Sequence, residues 1–483
     1  MSHARLALLC VFLLPIIARG ADIEDCVLSA GPALPSVTAR CTRIEVPENP
    51  DEPDGGQIRL RVALISALNL EPRRDPLVIL AGGPGQAATD FFLTYSYAFD
   101  RIRLNRELLL IDQRGTGQSN PLNCDSATVV LDSYAETSKV VPAVEACLES
   151  LSGDPRYYTT SVAVRDLEHV RRALGYGKLN LYGVSYGTRV AQHFMRRFPE
   201  STRSVILDGV VPPEVALGPG IATNAQAALD ALIERCSGDP GCSERFPDLE
   251  RAFDELHQRL KENPVEVEIN DPDDGSRIRQ QFSELDFASA VRLSSYSPTT
   301  LAILPLLIDA AWREERYEPL AAQARMSERM LDNMVSVGMH NSVVCTEDAP
   351  FFDASAITDE SLHETYLGRT VLDMLELTCG IWPEGYRDPD FKEPLRSNIP
   401  ALLLSGEFDP VTPPAYGAQA AAGLGNSLHL IGPGQGHGLA PLGCVPRLLA
   451  RFVETASVDQ LDTGCFDKLT VAPFFVDFSG PLR

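Results

Sequence analysis

The feature that most restricts this chain is a recurrence of short apolar runs, each broken off by glycine or polar residues. Residues 76–80 run into AGGPG, 107–111 into DQRGTG, 179–182 into GVSYG, 204–207 into DGVVPP, 401–404 into SGEFDPVTPP, and 427–431 into GPGQGHG. Runs of this length, without polar alternation, suit strands buried on both faces. Helical patterns fall between several of them. Residues 162–174 place Val164, Leu167, Val170 and Leu174 at helical spacing and stop at Gly175, and 188–198 follows the serine turn with a second helical pattern. Strand–helix alternation predicts an α/β fold: a mostly parallel sheet with helices on both faces and its ligand site beyond the carboxyl ends of the strands. The stretch 47–56, PENPDEPDGG, reads as an exposed loop between two early strands.

From about 218 to 395 the strand signal fades, and 225–235, 249–262 and 299–313 read as helices. The expected organisation is a first core segment at 21–217, an inserted, mainly helical cap at 218–395, and a second core segment at 396–483. Residues 1–20 stand outside the fold. Arg5 precedes an apolar stretch at 6–17, and Ala18 and Gly20 place small residues before a cut at Ala21, the pattern of a secretory signal peptide. The stretch is shorter than the roughly 20 residues of a spanning helix. The expectation is a soluble, exported protein, secreted or periplasmic, with no stable membrane insertion once the signal is removed.

Cysteine usage points the same way. Of eleven cysteines, Cys10 lies in the signal, which leaves an even number for disulfides. Sequence-local pairing predicts Cys26–Cys41, Cys124–Cys147, Cys236–Cys242, Cys345–Cys379 and Cys444–Cys465. No zinc-ribbon spacing occurs, so no metal is expected. A net charge of −24 disfavours nucleic acid and anionic membranes.

The chemistry centres on LYGVSYGTRV, residues 181–190. Gly183-Val184-Ser185-Tyr186-Gly187 fits G-x-S-x-G, with an apolar strand before it and a helix after it, as a nucleophile elbow requires. A serine hydroxyl needs a base, and in this fold the chain order is serine, acid, histidine. His429 lies inside the alternating strand SLHLI, whereas His437 sits in a glycine-rich loop that can carry an imidazole to a distant serine. The acid is Asp409, the carboxylate nearest in order to His437. Asp208 is its rival, and Glu407 is a solvated or capping carboxylate. The oxyanion donors are the N–H of Tyr186, next to the nucleophile, and that of Gly83 in AGGPG. Arg114 in DQRG either buttresses its loop through an ion pair or meets substrate.

Taken together, AGGPGQ, DQRGTGQS, YGVSYGTRVAQ, SGEFDPVTP and GQGHG resemble the proline iminopeptidase and tripeptidyl aminopeptidase group of α/β-hydrolase serine peptidases, above all its exported, disulfide-bearing members. The resemblance spans about 58–465 and is weakest in the cap. Ala81 departs from it, since relatives often carry histidine there. It implies a Ser185–His437–Asp409 triad, no cofactor, and short peptide substrates with a free N-terminus. An exopeptidase must hold an ammonium, and Glu347 and Asp348, in a segment resembling the group's C-x-E-D, are the expected anchors. Two other readings stand beside it: a carboxylesterase or lipase on the same triad, and a catalytically idle binding module.

Overall fold

The computed structural model of this chain describes residues 22–29, 36–124, 137–272, 274–352 and 359–481. The signal peptide expected at 1–20 lies outside the described residues.

One sheet organises the molecule. Its strands are β1 (Glu24–Ser29), β2 (Ser36–Pro47), β3 (Gln57–Ile65), β4 (Arg73–Leu80), β5 (Arg106–Ile111), β6 (Leu179–Val184) and β7 (Thr202–Asp208). A small hairpin, β8 (Val265–Asn270) and β9 (Arg277–Phe282), stands apart, and β10 (Ala401–Gly406) and β11 (Ser427–Gly432) complete the main sheet. The order is β1-β2-β3-β5-β4-β6-β7-β10-β11. From β5 onward the pairs are parallel, while β1, β2 and β3 join antiparallel. The sequence carries the reason. β6 and β10 are apolar enough to bury every residue, whereas β3 begins with exposed and buried residues in alternation, as fits a sheet with one wet face. The loop at 47–56 joins β2 to β3 as expected.

The direction of chain progression reverses beside β4: β5 lies on one side of it and β6 on the other. Such a switch point leaves a crevice beyond the carboxyl ends of the strands, because the loops on either side lead away from each other. The loop after β4 and the elbow after β6 therefore start side by side, with Leu80 registered against Gly183.

The inserted region is mainly helical, with helices Ile221–Gly238, Leu249–Glu262, Glu284–Ser294, Pro298–Glu314 and Glu318–Met334. They enclose their own apolar core, including Leu256, Phe287, Leu304 and Leu320. Two features depart from the expected picture. The β8–β9 hairpin lies within a stretch expected to be mainly helical; Val267 and Ile269 are its buried face and their neighbours are exposed. The helix Val337–Glu347 leaves the cap core, and its Met339 and Val343 pack with the sheet residues of the main core. The five expected cysteine pairs are all disulfides, with Cys124–Cys147 and Cys345–Cys379 meeting around Trp382. Among the described residues no helix is long and apolar enough to cross a membrane.

Candidate active site

Ser185 has φ 55° and ψ −126°, a strained conformation for a residue with a side chain. The flanking glycines explain how the turn closes. A Cβ on Gly183 would overlap the Gly187 carbonyl oxygen, and one on Gly187 would overlap the Leu80 carbonyl oxygen. The turn is also bonded from below. Ser185 N donates to the Asp208 carbonyl at 2.9 Å, and Thr188 N and Oγ1 donate to the Ser185 carbonyl at 2.9 and 2.6 Å. Ser185 Oγ makes no hydrogen bond among the described residues.

The loop after β4 covers this elbow. A Cβ on Gly82 would stand 3.1 Å from Ser185 Cβ, a tight contact that glycine avoids. Gly83 has φ 101°, and Tyr186 opens the helix Tyr186–Arg197, whose first N–H groups have no acceptor within the helix. The same loop is tied to the start of the helix Val337–Glu347. Ser336 N donates to the Gly85 carbonyl at 3.0 Å, and His340 Nδ1 lies 3.3 Å from the Pro84 carbonyl.

Asp409 and His437 follow β10 and β11. His437 Nδ1 lies 2.7 Å from Asp409 Oδ2. The carboxylate is fully occupied: Val411 N and Thr412 N donate to Oδ1 at 2.9 and 2.8 Å, and Thr412 Oγ1 donates to Oδ2 at 2.7 Å. Burial alone would raise the pKa of Asp409, but the imidazole and these donors outweigh it and hold the group below its ordinary value. For His437 burial favours the neutral ring, yet Asp409, with a smaller contribution from Asp208, raises its pKa. The ring lies over Gly209, where a side chain would meet Cε1 at 3.0 Å, and Gly209 follows the residue that binds Ser185 N. Nε2 has no hydrogen bond among the described residues and is the ring nitrogen left for a serine proton.

The cap reaches this point through Tyr296. Its carbonyl accepts from His437 N at 2.9 Å, and its ring packs edge-on to the imidazole with centroids 5.4 Å apart. Arg292 Nη2 lies 3.2 Å from the Tyr296 hydroxyl. Sequence reasoning missed Tyr296 and Thr412, whose roles depend on loop positions that no local pattern displays.

The other candidates separate clearly. Asp208 makes no contact with the imidazole of hydrogen-bond length; it binds Tyr182 OH and the N–H groups of Leu439 and Ala440. Glu407 accepts from Gly434 N at 2.6 Å and so braces the histidine loop. His429 Nε2 lies 2.9 Å from Ser405 Oγ, within the sheet. Arg114 is buried in a bidentate pair with Asp166 at 2.7 and 2.8 Å and caps three carbonyls, which makes it a buttress.

Glu347 and Asp348 require a correction. They were expected to face substrate as ammonium anchors, but both are 0% exposed. Glu347 accepts from Thr160 N and Oγ1 at 2.6 and 2.8 Å. Asp348 accepts from Arg189 Nη1 at 3.0 Å, Lys392 Nζ at 3.0 Å and Leu217 N at 2.9 Å. Burial pushes Glu347 up to about 7 against the pull of Arg189, whereas Asp348 is held low because Arg189 and Lys392 outweigh its burial. The physical reason lies in Arg189. A guanidinium on the elbow helix, 1% exposed, must be paired, and these two carboxylates pair it. Arg189 in YGTRV was the available signal, since the elbow helix had to be buried.

Comparison with known proteins agrees with this architecture. A family profile described as "alpha/beta hydrolase fold" matches residues 75–235, and one described as "TAP-like protein" matches 364–465. The chain is 26% identical over 433 residues to the serine protease Hip1 of Mycobacterium tuberculosis strain H37Rv, covering 81% of this chain and 80% of that protein. It is 30% identical over 211 residues to tripeptidyl aminopeptidase of Streptomyces coelicolor, covering 40% and 38%. It is 31% identical over 226 residues to carboxylesterase B of Mycobacterium tuberculosis strain CDC 1551, covering 42% and 43%. The strand order, the elbow at the switch point and both profile matches give this chain the α/β-hydrolase fold.

Proposed function

We propose that the protein is an exported serine peptidase that releases short N-terminal fragments from peptides through an acyl-enzyme. The observation that carries this reading is the 2.7 Å contact of His437 Nδ1 with Asp409, on loops that converge on the strained Ser185 elbow. With Nδ1–H held by an ionised carboxylate, Nε2 is the basic nitrogen. His437 takes the Ser185 proton as Oγ attacks the scissile carbonyl. The N–H groups of Gly83 and Tyr186 receive the oxyanion. His437 then protonates the leaving amine and activates water for deacylation.

Three things support peptides as the substrate class: the likeness to proteins named serine protease and tripeptidyl aminopeptidase, the TAP-like match, and a cap that reaches His437 through Tyr296. The ammonium anchor of an aminopeptidase is not Glu347 or Asp348 in this reading, since Asp348 is spent on Arg189 and Lys392 and Glu347 on Thr160 and Arg189. Export is supported by the signal pattern at 1–20 and the five disulfides.

The test compares tripeptidyl anilides with their N-acetylated forms and with acyl esters, using Ser185→Ala as control. Turnover of the free-amine anilide, lost on acetylation, is the expected result. Equal rates with and without acetylation, or turnover of esters alone, would favour the esterase reading, to which the carboxylesterase likeness gives substance. Failure of a fluorophosphonate to label Ser185 would leave the idle binding module.

A further inference from the structure

Asp208 ends β7 and is 0% exposed. Its two halves bind two different elements. The backbone carbonyl accepts from Ser185 N at 2.9 Å, within the elbow. The carboxylate accepts from the loop that carries His437: Leu439 N at 2.8 Å to Oδ1 and 3.0 Å to Oδ2, and Ala440 N at 2.8 Å to Oδ2. Tyr182 OH, from β6, donates to Oδ2 at 2.9 Å and holds the carboxylate in place. Gly209, next in the chain, is the floor beneath the imidazole.

A buried carboxylate is costly, and an apolar residue would end a strand at less cost. What a carboxylate adds is acceptor capacity aimed at one loop, and every polar contact it makes here is with a donor. The chain places this acceptor between the elbow and the histidine loop, hydrogen-bonded to both. We infer that Asp208 is a positioning residue, which ties the backbone of Ser185 to the loop of His437 and so sets the imidazole over the serine hydroxyl. This inference rests on the reading of Ser185 and His437 as nucleophile and base. The groups facing the imidazole are Asp409 from the loop after β10, Asp208 from the end of β7, Arg292 from the cap helix Glu284–Ser294, and the ring of Tyr296.

The experiment measures kcat, KM and the pH profile of kcat for Asp208→Asn and Tyr182→Phe on a tripeptidyl anilide. Rates are expressed per active site titrated with fluorophosphonate. In Asp208→Asn an amide N–H replaces one acceptor and faces a backbone donor, so the loop loses its register. The expected result is a kcat lowered about 10- to 100-fold with KM changed less than about threefold, since misplacement near 1 Å costs on this order. The acid limb also moves to lower pH, because a negative charge facing the imidazole is gone. Tyr182→Phe keeps the charge, so its acid limb stays in place while kcat falls by a smaller factor. An Asp208→Asn kcat within about twofold of the parent overturns the inference. So does an unmoved acid limb with only a lowered melting temperature. If Asp208→Asn does not fold, an unchanged kcat in Tyr182→Phe overturns it. Ser185→Ala separates the two levels: activity surviving there defeats the nucleophile reading itself, whereas a dead Ser185→Ala beside an unaffected Asp208→Asn defeats only the positioning role.

Discussion

Asp409 Oδ2 and His437 Nδ1 stand 2.7 Å apart, although 28 residues and a strand separate them in the chain. The carboxylate is saturated by donors and low in pKa, so it stays charged across the working range and favours imidazolium. The raised pKa of His437 sets the sign of the pH dependence. Protonated His437 cannot accept the serine proton, so the acid limb of kcat/KM falls with a midpoint above about 6.5, the ordinary histidine value. A pH–rate profile on a neutral substrate measures it. Asp409→Asn removes the charge and permits the wrong tautomer, and should lower kcat by about 10³- to 10⁴-fold.

The buried cluster beneath the elbow makes a prediction about folding. Asp348→Asn leaves Arg189 and Lys392 without their shared carboxylate. Breaking one partner out of a buried ion pair costs about 3–5 kcal/mol. Urea denaturation of Asp348→Asn should show a loss of that size. A variant as stable as the parent would overturn this account of Asp348 as the group that neutralises Arg189 and Lys392.

Gly187→Ala should fail at the elbow. The added methyl meets the Leu80 carbonyl, which is backbone of a buried central strand and cannot turn aside. Overpacking of this kind costs about 1–3 kcal/mol, and the displaced turn carries Ser185 with it. Thermal unfolding and fluorophosphonate labelling should fall together.

Tyr296→Ala tests whether the cap contributes to the imidazole's placement. The substitution removes the edge-on ring but keeps the backbone carbonyl that binds His437 N. An aromatic contact of this type is worth about 0.5–1.5 kcal/mol. The expected kcat loss is therefore about 2- to 10-fold, from RT ln of the rate ratio. An unchanged kcat with a raised KM would instead assign the ring to substrate.

Much of this arrangement was legible in linear order. The strands that carry the site are unbroken apolar runs, and glycine or polar loops mark their carboxyl ends, so the fold class, Ser185 and the two later loops followed from pattern alone. The disulfides followed because each joins cysteines close in sequence, the widest separation being 34 residues. The β8–β9 hairpin escaped because its apolar residues alternate over a single short stretch, a weak signal inside a helical region. Its strands pair only with each other, outside the main sheet.

Residue identity in the chain determined which groups could react: one serine between glycines that backbone contact demands, one histidine in a glycine-rich loop, and carboxylates after two strands. It did not determine how three carboxylates divide their work, because a carboxylate's role depends on its partners. Asp409 met an imidazole, Asp208 met the N–H groups of the histidine loop, and Asp348 met a buried guanidinium and ammonium. Those encounters join positions up to hundreds of residues apart, and only the closing of the sheet and the return of the helix Val337–Glu347 onto the elbow brought them within hydrogen-bond reach.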